Sequence, residues 1–486
     1  MTLTDLVALS PFIVLAATAV VLMLAIAGRR NHRLTALLAL AGLALAFVSL
    51  PLAASAGGAR QVTPLLIVDG YALFYIGLIC AAAFAVAILA YGYLQRSAEK
   101  RADNPEEFYI LLVLATLGSS VLVASTHFAS FFLGLEILSV SLYVLIAYLH
   151  TRPDGVEAGI KYLILAGASS AFLLFGMALI YAQSGTMELA RLAALQTTPG
   201  SVQNVLLLTG LGMLVVGIGF KLAVVPFHMW TPDVYQGAPA PVTAFIATVS
   251  KGAMAALLLR YFNRVDVHAF GSLFVVFALI AVASMLVGNL LALLQNDVKR
   301  ILAYSSISHL GYLLVAFLAS DGSAVMAVTF YLIAYFITML GAFGVVTALS
   351  GPDRDADALD DFRGLFWRRP WLAAILTASL LSLAGIPLTA GFVGKFFVLA
   401  AGVGSALWAL VIVLVVSSAI GLYYYLRIVV AMYLQPLAEQ AAPPAPLAWP
   451  LAGSLVLAVL TLLLVWLGVY PAPLINMIQA AAASLG

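Results

Sequence analysis

Fourteen apolar runs leave this chain few ways to fold. A helix needs about 20 consecutive apolar residues to cross the hydrocarbon core of a bilayer. Runs of that order fall at 4–27, 34–54, 69–94, 108–126, 128–149, 157–182, 204–236, 240–262, 269–295, 300–319, 323–350, 371–400, 404–434 and 447–470. They account for the composition: 64% of the 486 residues are hydrophobic and 9% are charged, with a mean hydropathy of +1.12. Soluble domains are about 25% charged, so a soluble enzyme is excluded. The runs are continuous rather than ten-residue alternations, which excludes a β-barrel. The expectation is an all-α integral membrane protein of about 14 spans.

An even count puts both termini on one side. The least distinct division lies within 108–149, where only Ser125-Thr126-His127 marks a turn. Met1 to Asp5 carries no positive charge, so the first run reads as a retained span rather than a cleaved signal peptide. The loops after odd-numbered spans hold fourteen Lys and Arg, against four (Arg60, Arg191, Arg260, Arg264) in the others. The positive-inside rule then makes the odd loops cytoplasmic and both termini outward-facing. The single cysteine, Cys80, excludes a disulfide framework, a CxxC redox pair and an iron–sulfur ligand set. No basic cluster argues for nucleic acid, and no motif would bind a flavin, a nicotinamide or a nucleoside triphosphate.

Charge inside the spans is the functional clue. Lys161, Lys221, Lys251 and Lys395 lie within apolar segments, Glu136 is the one acid deep in a span, Glu157 sits at a span edge, and His309 lies near the middle of span 10. A charge at the bilayer centre costs about 2.5–3.5 kcal/mol. Three unpaired lysines and one glutamate would then cost roughly 10–14 kcal/mol, against a total stability of about 5–15 kcal/mol. These groups must be paired, hydrated or neutral. They could form a proton path, or structural pairs between helices; with three lysines to one acid, two lysines lack an obvious acidic partner. Burial disfavours the charged form of a lysine and a nearby carboxylate restores it. Moving Glu136 relative to a lysine would therefore switch that lysine between holding and releasing a proton.

Two spans are interrupted. Segment 204–236 contains Pro226 and His228-Met229-Trp230-Thr231-Pro232-Asp233, and segment 371–400 contains Gly385-Ile386-Pro387, Gly391 and Gly394. A proline frees the carbonyl four residues earlier, at Leu222 and Leu383. Open backbone at membrane depth is tolerated only within protein or along a wet cavity. Lys221 precedes Pro226 by five residues and Lys395 follows Pro387 by eight, so any repeat between the two breaks is weak in sequence. His309, with Ser305, Ser306 and Ser308, could carry a water chain or bond across helices. His228 and Asp233 could belong to a proton path or to capping and loop contacts, and Lys161 could snorkel to the interface. Asp353-x-Asp355-x-Asp357 mimics a calcium loop but has Ala358 and Gly364 where glycine and glutamate belong, so a solvated acidic loop is expected. Gly210, Gly212, Gly217 and Gly219 do not form GxGxxG and are read as close helix packing.

Three motifs carry a resemblance. They are Phe220-Lys221 through Pro226, His228, Trp230 and Asp233 to Val234-Tyr235-Gln236-Gly237-Ala238-Pro239; Lys299-Arg300 through Tyr304 and His309 to Gly311-Tyr312; and Gly385-Ile386-Pro387 through Gly391 and Gly394 to Lys395-Phe396. Together they resemble the antiporter-like membrane subunits of bacterial NADH–quinone oxidoreductase, respiratory complex I, over nearly the whole chain. The second motif is specific only to the superfamily. The Tyr235–Pro239 run and Lys395 point to one branch, since one sibling has a glutamate at the Lys395 position and another carries a long lateral helix after its core.

The resemblance implies two inverted five-helix repeats, spans 4–8 and 9–13, each with a broken helix. The chain would divide into an N-terminal three-helix segment (1–107), a first repeat (108–262), a second repeat (263–434) and a C-terminal helix (435–486). It also implies that Glu136 pairs with Lys221, that Lys251 is a central relay, that His309 lies between the halves, and that Lys395 is the terminal lysine. Lys161, His228 and Asp233 remain further candidates. No cofactor is expected in this chain; FMN, iron–sulfur clusters and quinone are expected in partner subunits. Neighbouring membrane subunits and lipids would be direct partners and the peripheral redox arm an indirect one, in the bacterial inner membrane. The rivals are a subunit of a multi-subunit sodium–proton antiporter, a subunit of a membrane-bound hydrogenase complex, and a structural spacer with trapped ion pairs.

Overall fold

Helices follow the apolar runs because, in hydrocarbon, every backbone N–H and C=O must find its partner within the segment. The computed structural model describes residues 2–101, 104–196, 204–262, 271–320, 322–436 and 451–485; Arg264 and the 437–450 part of the C-terminal segment lie outside the described residues. The first run is split into α1 (Leu3–Ala8) and α2 (Ser10–Gly28), and the second into α3 (His32–Val48) and α4 (Leu50–Ser55). A short antiparallel hairpin, β1 (Arg60–Thr63) and β2 (Leu66–Val68), leads into α5 (Gly70–Arg101). Then come α6 (Glu107–Ala124), α7 (Phe128–Ile146), α8 (Pro153–Ser184), α9 (Leu189–Gln196) and α10 (Val205–Leu222). His127 caps α7 by accepting the Ala129 N–H, so the faint turn at Ser125–His127 is a true helix boundary.

The first broken span continues as α11 (Trp230–Gly237). The next span is three pieces: α12 (Ala240–Phe245), a π-helical turn (Ile246–Ser250) and α13 (Lys251–Phe262). The second half of the chain holds α14 (Gly271–Leu293), α15 (Val298–Phe317), α16 (Ala324–Leu349), α17 (Leu365–Arg368), the broken pair α18 (Pro370–Ala384) and α19 (Ala390–Gly404), α20 (Trp408–Tyr433), α21 (Leu451–Val469) and α22 (Ala472–Ala482). Among the described residues thirteen spans are long and apolar enough to cross a membrane, and the shorter α18 and α19 together occupy the one remaining run, 371–400. The hairpin and α22 were not anticipated from the sequence.

Burial sorts the helices. The 240–262 span, α15 and α16 form the centre, while α2, α3, α8, α14, α20 and α21 keep broad apolar faces outward. Helices that are hydrophobic all round, yet only part buried, belong in lipid or against other membrane helices. Glycine lets α8 and α10 touch: a Cβ on Gly176 would lie 2.7 Å from the Gly210 carbonyl, and one on Gly217 would strike Leu173. Gly219 is tight against Phe227, whereas Gly212 has open space, so the packing reading holds for three of those four positions.

Three expectations about charge are corrected. Arg260, counted as a loop residue, is buried in α13 and donates twice to Asp69, at 2.7 and 2.8 Å. Lys299, counted as a cytoplasmic loop cation, is fully buried in the first turn of α15. The acidic 353–357 loop is not simply solvated: Asp355 is buried and accepts from Lys299 (2.7 Å), Arg152 (2.9 Å) and Tyr93 (2.7 Å). Burial pushes the Asp355 carboxyl up, but Lys299 and Arg152 outweigh it and hold the group below its usual value. Sequence position hides such pairs, because their members come from the ends of different helices.

Candidate functional site

Lys221, Lys251 and Lys395 each stand where a helix is interrupted. Lys221 is in the last turn of α10, which stops at Leu222; Ala223 takes a left-handed conformation (φ 61°) and caps it. At the break the Phe220 carbonyl accepts twice, from the Ala223 N–H and from Trp230 Nε1, each at 3.0 Å. In the second break α18 ends at Ala384, with Gly385 left-handed at φ 84°. Lys395, on α19, reaches back and donates to the Ala384 carbonyl at 2.9 Å. The carbonyls that these side chains reach are those of Phe220 and Ala384. Lys251 opens α13 directly after the π-helical turn; such turns occur disproportionately at functional sites.

The partners of the three lysines are neutral. Lys221 Nζ donates to Ser139 Oγ (3.0 Å) on α7 and Tyr162 OH (3.1 Å) on α8. Lys251 Nζ donates to Ser306 Oγ (2.5 Å) on α15 and lies 5.1 Å from the Tyr235 ring centre. Lys395 Nζ also donates to Ser418 Oγ (2.8 Å) and lies 5.3 Å from the Tyr312 ring centre. Among the described residues no carboxylate lies within ion-pair distance of any of the three. The expected Glu136–Lys221 contact is therefore indirect. Glu136 accepts from Ser170 on α8 at 2.6 Å, and Ser139, one turn along α7, is the residue that meets Lys221.

Two hubs join these groups. Ser306 accepts from Lys251 and from Tyr335 OH (2.7 Å) and lies 3.3 Å from Tyr235 OH. One turn on, His309 has Tyr331 OH 2.6 Å from Nδ1 and Tyr425 OH 3.0 Å from Nε2; Tyr425 also meets Ser305. His309, Tyr331, Tyr335, Thr338 and Lys395 line one small shared void. The structure thus brings Lys251, His309 and Lys395 into one polar neighbourhood between α13, α15, α16 and α19. Lys221 stands apart, since among the described residues no direct hydrogen bond joins its group to that of Lys251. The break and α11 carry His228 and Thr231, whose buried Nδ1 and Oγ1 have no hydrogen-bond partner among the described residues.

Lys161 and Asp233 meet each other at 2.7 Å in a half-exposed network that adds Glu157, Arg300 (2.9 Å from Asp233) and Gln236. Gln236 donates to Asp297, whose carboxyl burial pushes up to about 6. The sequence reading missed Ser139, Tyr162, Tyr235, Tyr331, Tyr335, Tyr425 and Ser418. The available signal was tyrosine and serine within fully apolar helices, because a buried hydroxyl needs a partner.

A family model described as NADH:quinone oxidoreductase/Mrp antiporter, TM, matches residues 125–421. A curated relative from Ectopseudomonas mendocina (strain ymp), named NADH-quinone oxidoreductase subunit N, is 50% identical over 485 residues, covering 99% of this chain and 97% of that protein. One of the same name from Nitrosospira multiformis is 56% identical over 501 residues, again covering 99% and 97%. Among solved structures, a chain of respiratory complex I from Thermus thermophilus with bound aureothin matches at TM-score 0.80 and 34% identity, over 97% of this chain and 99% of that one. A chain of an archaeal membrane-bound sulfane sulfur reductase matches at TM-score 0.83 and 24% identity, over 100% and 98%. A chain of the Mrp complex from Dietzia sp. matches at TM-score 0.82 and 21% identity, over 100% and 98%. At those last two identities the likeness is one of fold alone.

Proposed function

The chain belongs to the subunit N family of NADH-quinone oxidoreductase, within the NADH:quinone oxidoreductase/Mrp antiporter transmembrane family, and on that premise we propose the residues along which it moves protons. It is a proton-translocating membrane subunit, coupled to NADH oxidation and quinone reduction. The path runs from the Glu136–Ser170 and Lys221 groups, through Lys251 and Ser306, to His309 and on to Lys395. The carrying observation is that the buried ammonium groups of Lys221, Lys251 and Lys395 are held by hydroxyls and a carbonyl, with no carboxylate in contact among the described residues. A hydroxyl can accept a proton on one lone pair while donating its own, so each lysine is already bonded to a group that can relay.

Glu136 acts through α7. A change in the field at Glu136 is felt at Lys221 across Ser139, which shares that helix. The step from Lys221 to Lys251 passes the break, where His228 and Thr231 offer polar atoms to a bridging water. Lys161, Asp233 and Arg300 form the polar strip over this break and lead protons toward it. The redox chemistry, with FMN, iron–sulfur clusters and quinone, belongs to partner subunits; this chain is the translocase part of that enzyme. It sits in the bacterial inner membrane with both termini outward, beside other antiporter-like and small membrane subunits. The two inverted repeats, 108–262 and 263–434, are the frame of the path, flanked by 1–107 and 435–486.

The test uses the assembled complex in sealed vesicles, with proton uptake measured on adding NADH and quinone, with and without uncoupler. Lys221→Ala and Lys395→Ala should each lower proton uptake and coupled turnover while assembly stays intact. Normal pumping in both variants overturns the path.

A further inference from the structure

We propose that Asn289 is a positioning residue for Lys395, holding the Tyr312 ring and the stretch of α20 that carries Ser418 against its ammonium group. The inference rests on Lys395 being the last lysine of the proposed path. Asn289 is the sole amide side chain of α14 and is fully buried. A buried amide needs protein partners for its polar atoms, and this one finds them on three helices. Nδ2 donates to the Met285 carbonyl (2.8 Å) on its own helix, to Tyr312 OH (3.0 Å) on α15 and to Ser417 Oγ (3.1 Å) on α20. Oδ1 accepts from Tyr424 OH (2.8 Å), also on α20.

These partners surround the terminal lysine and its histidine. Tyr312 itself presents its ring to Lys395 Nζ. Ser417 precedes Ser418, whose Oγ accepts from Nζ at 2.8 Å. Tyr424 precedes Tyr425, whose OH lies 3.0 Å from His309 Nε2. Helix α20 comes this near because Gly421 faces the amide: a Cβ there would lie 3.2 Å from Asn289 Oδ1 and 3.3 Å from Tyr424 OH.

Distance makes the ring the sensitive element. A cation is attracted to a ring face within about 6 Å of its centre. Nζ lies 5.3 Å from the Tyr312 ring centre, so a swing of about 1 Å takes the ring out of range. The hydroxyl that Asn289 holds is at the far end of that ring, where a tether best limits such a swing. Asn289 therefore acts on Lys395 through Tyr312 and α20.

The experiment uses the whole complex in sealed vesicles. Uncoupler-sensitive proton uptake on adding NADH and quinone is read as a function of pH, beside NADH oxidation with an artificial acceptor that bypasses the membrane arm. The profile reports Lys395 in its setting. Among the described residues α15 brings His309 and Tyr312 to it, α16 brings Tyr331 and Tyr335, and α20 brings Tyr425 behind His309, while α14, α18 and α21 carry no titratable side chain. Asn289→Leu should lower uptake about two- to thirty-fold, the factor that losing a cation–ring contact is worth. It should also displace the pH profile and leave the bypass rate unchanged. Tyr312→Phe keeps the ring but loses the tether, and should act in the same way. The double variant should be no worse than the worse single one, because both changes free one ring.

Wild-type uptake and pH profile in Asn289→Leu overturn the proposal. So do losses that multiply in the double variant, or lowered uptake with an unmoved profile, the mark of a tie between helices and nothing more. Should Asn289→Leu fail to assemble, a wild-type profile in Tyr312→Phe overturns it alone. Lys395→Ala belongs in the same series. Normal uptake there overturns the path and this inference together, whereas lowered uptake there with wild-type behaviour in Asn289→Leu overturns this inference and leaves the path standing.

Discussion

Ser306 should be the residue whose loss isolates Lys251. Its Oγ receives the only hydrogen bond that Lys251 Nζ makes to another side chain among the described residues, and it also receives Tyr335 OH. Ser306→Ala removes that acceptor while leaving helix propensity and packing nearly unchanged. A hydrogen bond to a charged group contributes about 1.5–3 kcal/mol. If proton passage through Lys251 loses that much support at its barrier, the step slows by roughly ten- to 150-fold. The assay is uncoupler-sensitive proton uptake by reconstituted vesicles, alongside NADH oxidation with an artificial acceptor that bypasses the membrane arm. Uptake should fall while the bypass rate holds. The control is on the same helix: among the described residues Ser308 donates only to the Tyr304 carbonyl one turn back, so Ser308→Ala should leave uptake nearly intact. Equal behaviour of the two variants refutes the hub.

Asp355→Asn leaves buried Lys299 and Arg152 facing a neutral group; breaking such a pair costs about 3–5 kcal/mol, and the melting temperature of the purified complex should fall measurably. Gly385→Ala meets a left-handed backbone and a Cβ only 2.8 Å from Lys395 Cδ, so proton uptake should drop even where the assembly melts normally. Asp297 has its carboxyl raised by burial to about 6. The folded state then binds a proton more tightly than the unfolded one. This contribution to stability is fully present below about pH 4 and is lost as pH rises through about 6. Between those values wild type should lose melting temperature relative to Asp297→Asn, and parallel pH profiles would contradict the assignment.

Legibility in the sequence tracked distance along the chain. Span-length apolar runs announce helices because the bilayer demands them, and even the turn at Ser125–His127 was readable from three polar residues. What depended on remote partners was not. Lys299 was assigned to a loop because its neighbours in sequence are Val298, Arg300 and a polar turn, whereas its acid, Asp355, sits on another loop. Arg260 was misplaced in the same way, its partner Asp69 lying before α5. The lysines themselves were found, because a charge in an apolar run is conspicuous. Of their acceptors only Ser306 stood out, in the serine run before His309; Ser139 and Ser418 are unremarkable serines until helices bring them together. The π-helical turn before Lys251 left no sign in Ile246–Ser250.

The two breaks looked dissimilar in sequence, with one lysine before its proline and the other after. Geometry makes them alike at the level that matters for charge. Lys221 lies in the last turn of α10, and Lys395 Nζ bonds the last carbonyl of α18, so both ammoniums sit at the negative end of a half-helix dipole. That end is worth about 0.3–2 kcal/mol to a cation, and two hydrogen bonds to a charged group add about 3–6 kcal/mol. Together these match or exceed the cost of about 2.5–3.5 kcal/mol for lysine at the bilayer centre. No carboxylate is then required, which answers the mismatch of three lysines with one deep acid. Among the described residues Lys251 has neither such a helix end nor a second hydrogen bond, only Ser306 and the face of Tyr235. Its charge has the thinnest support of the three. On the proposed path it also stands between the other two groups, where a relay has most to gain from a charge that is not locked in place.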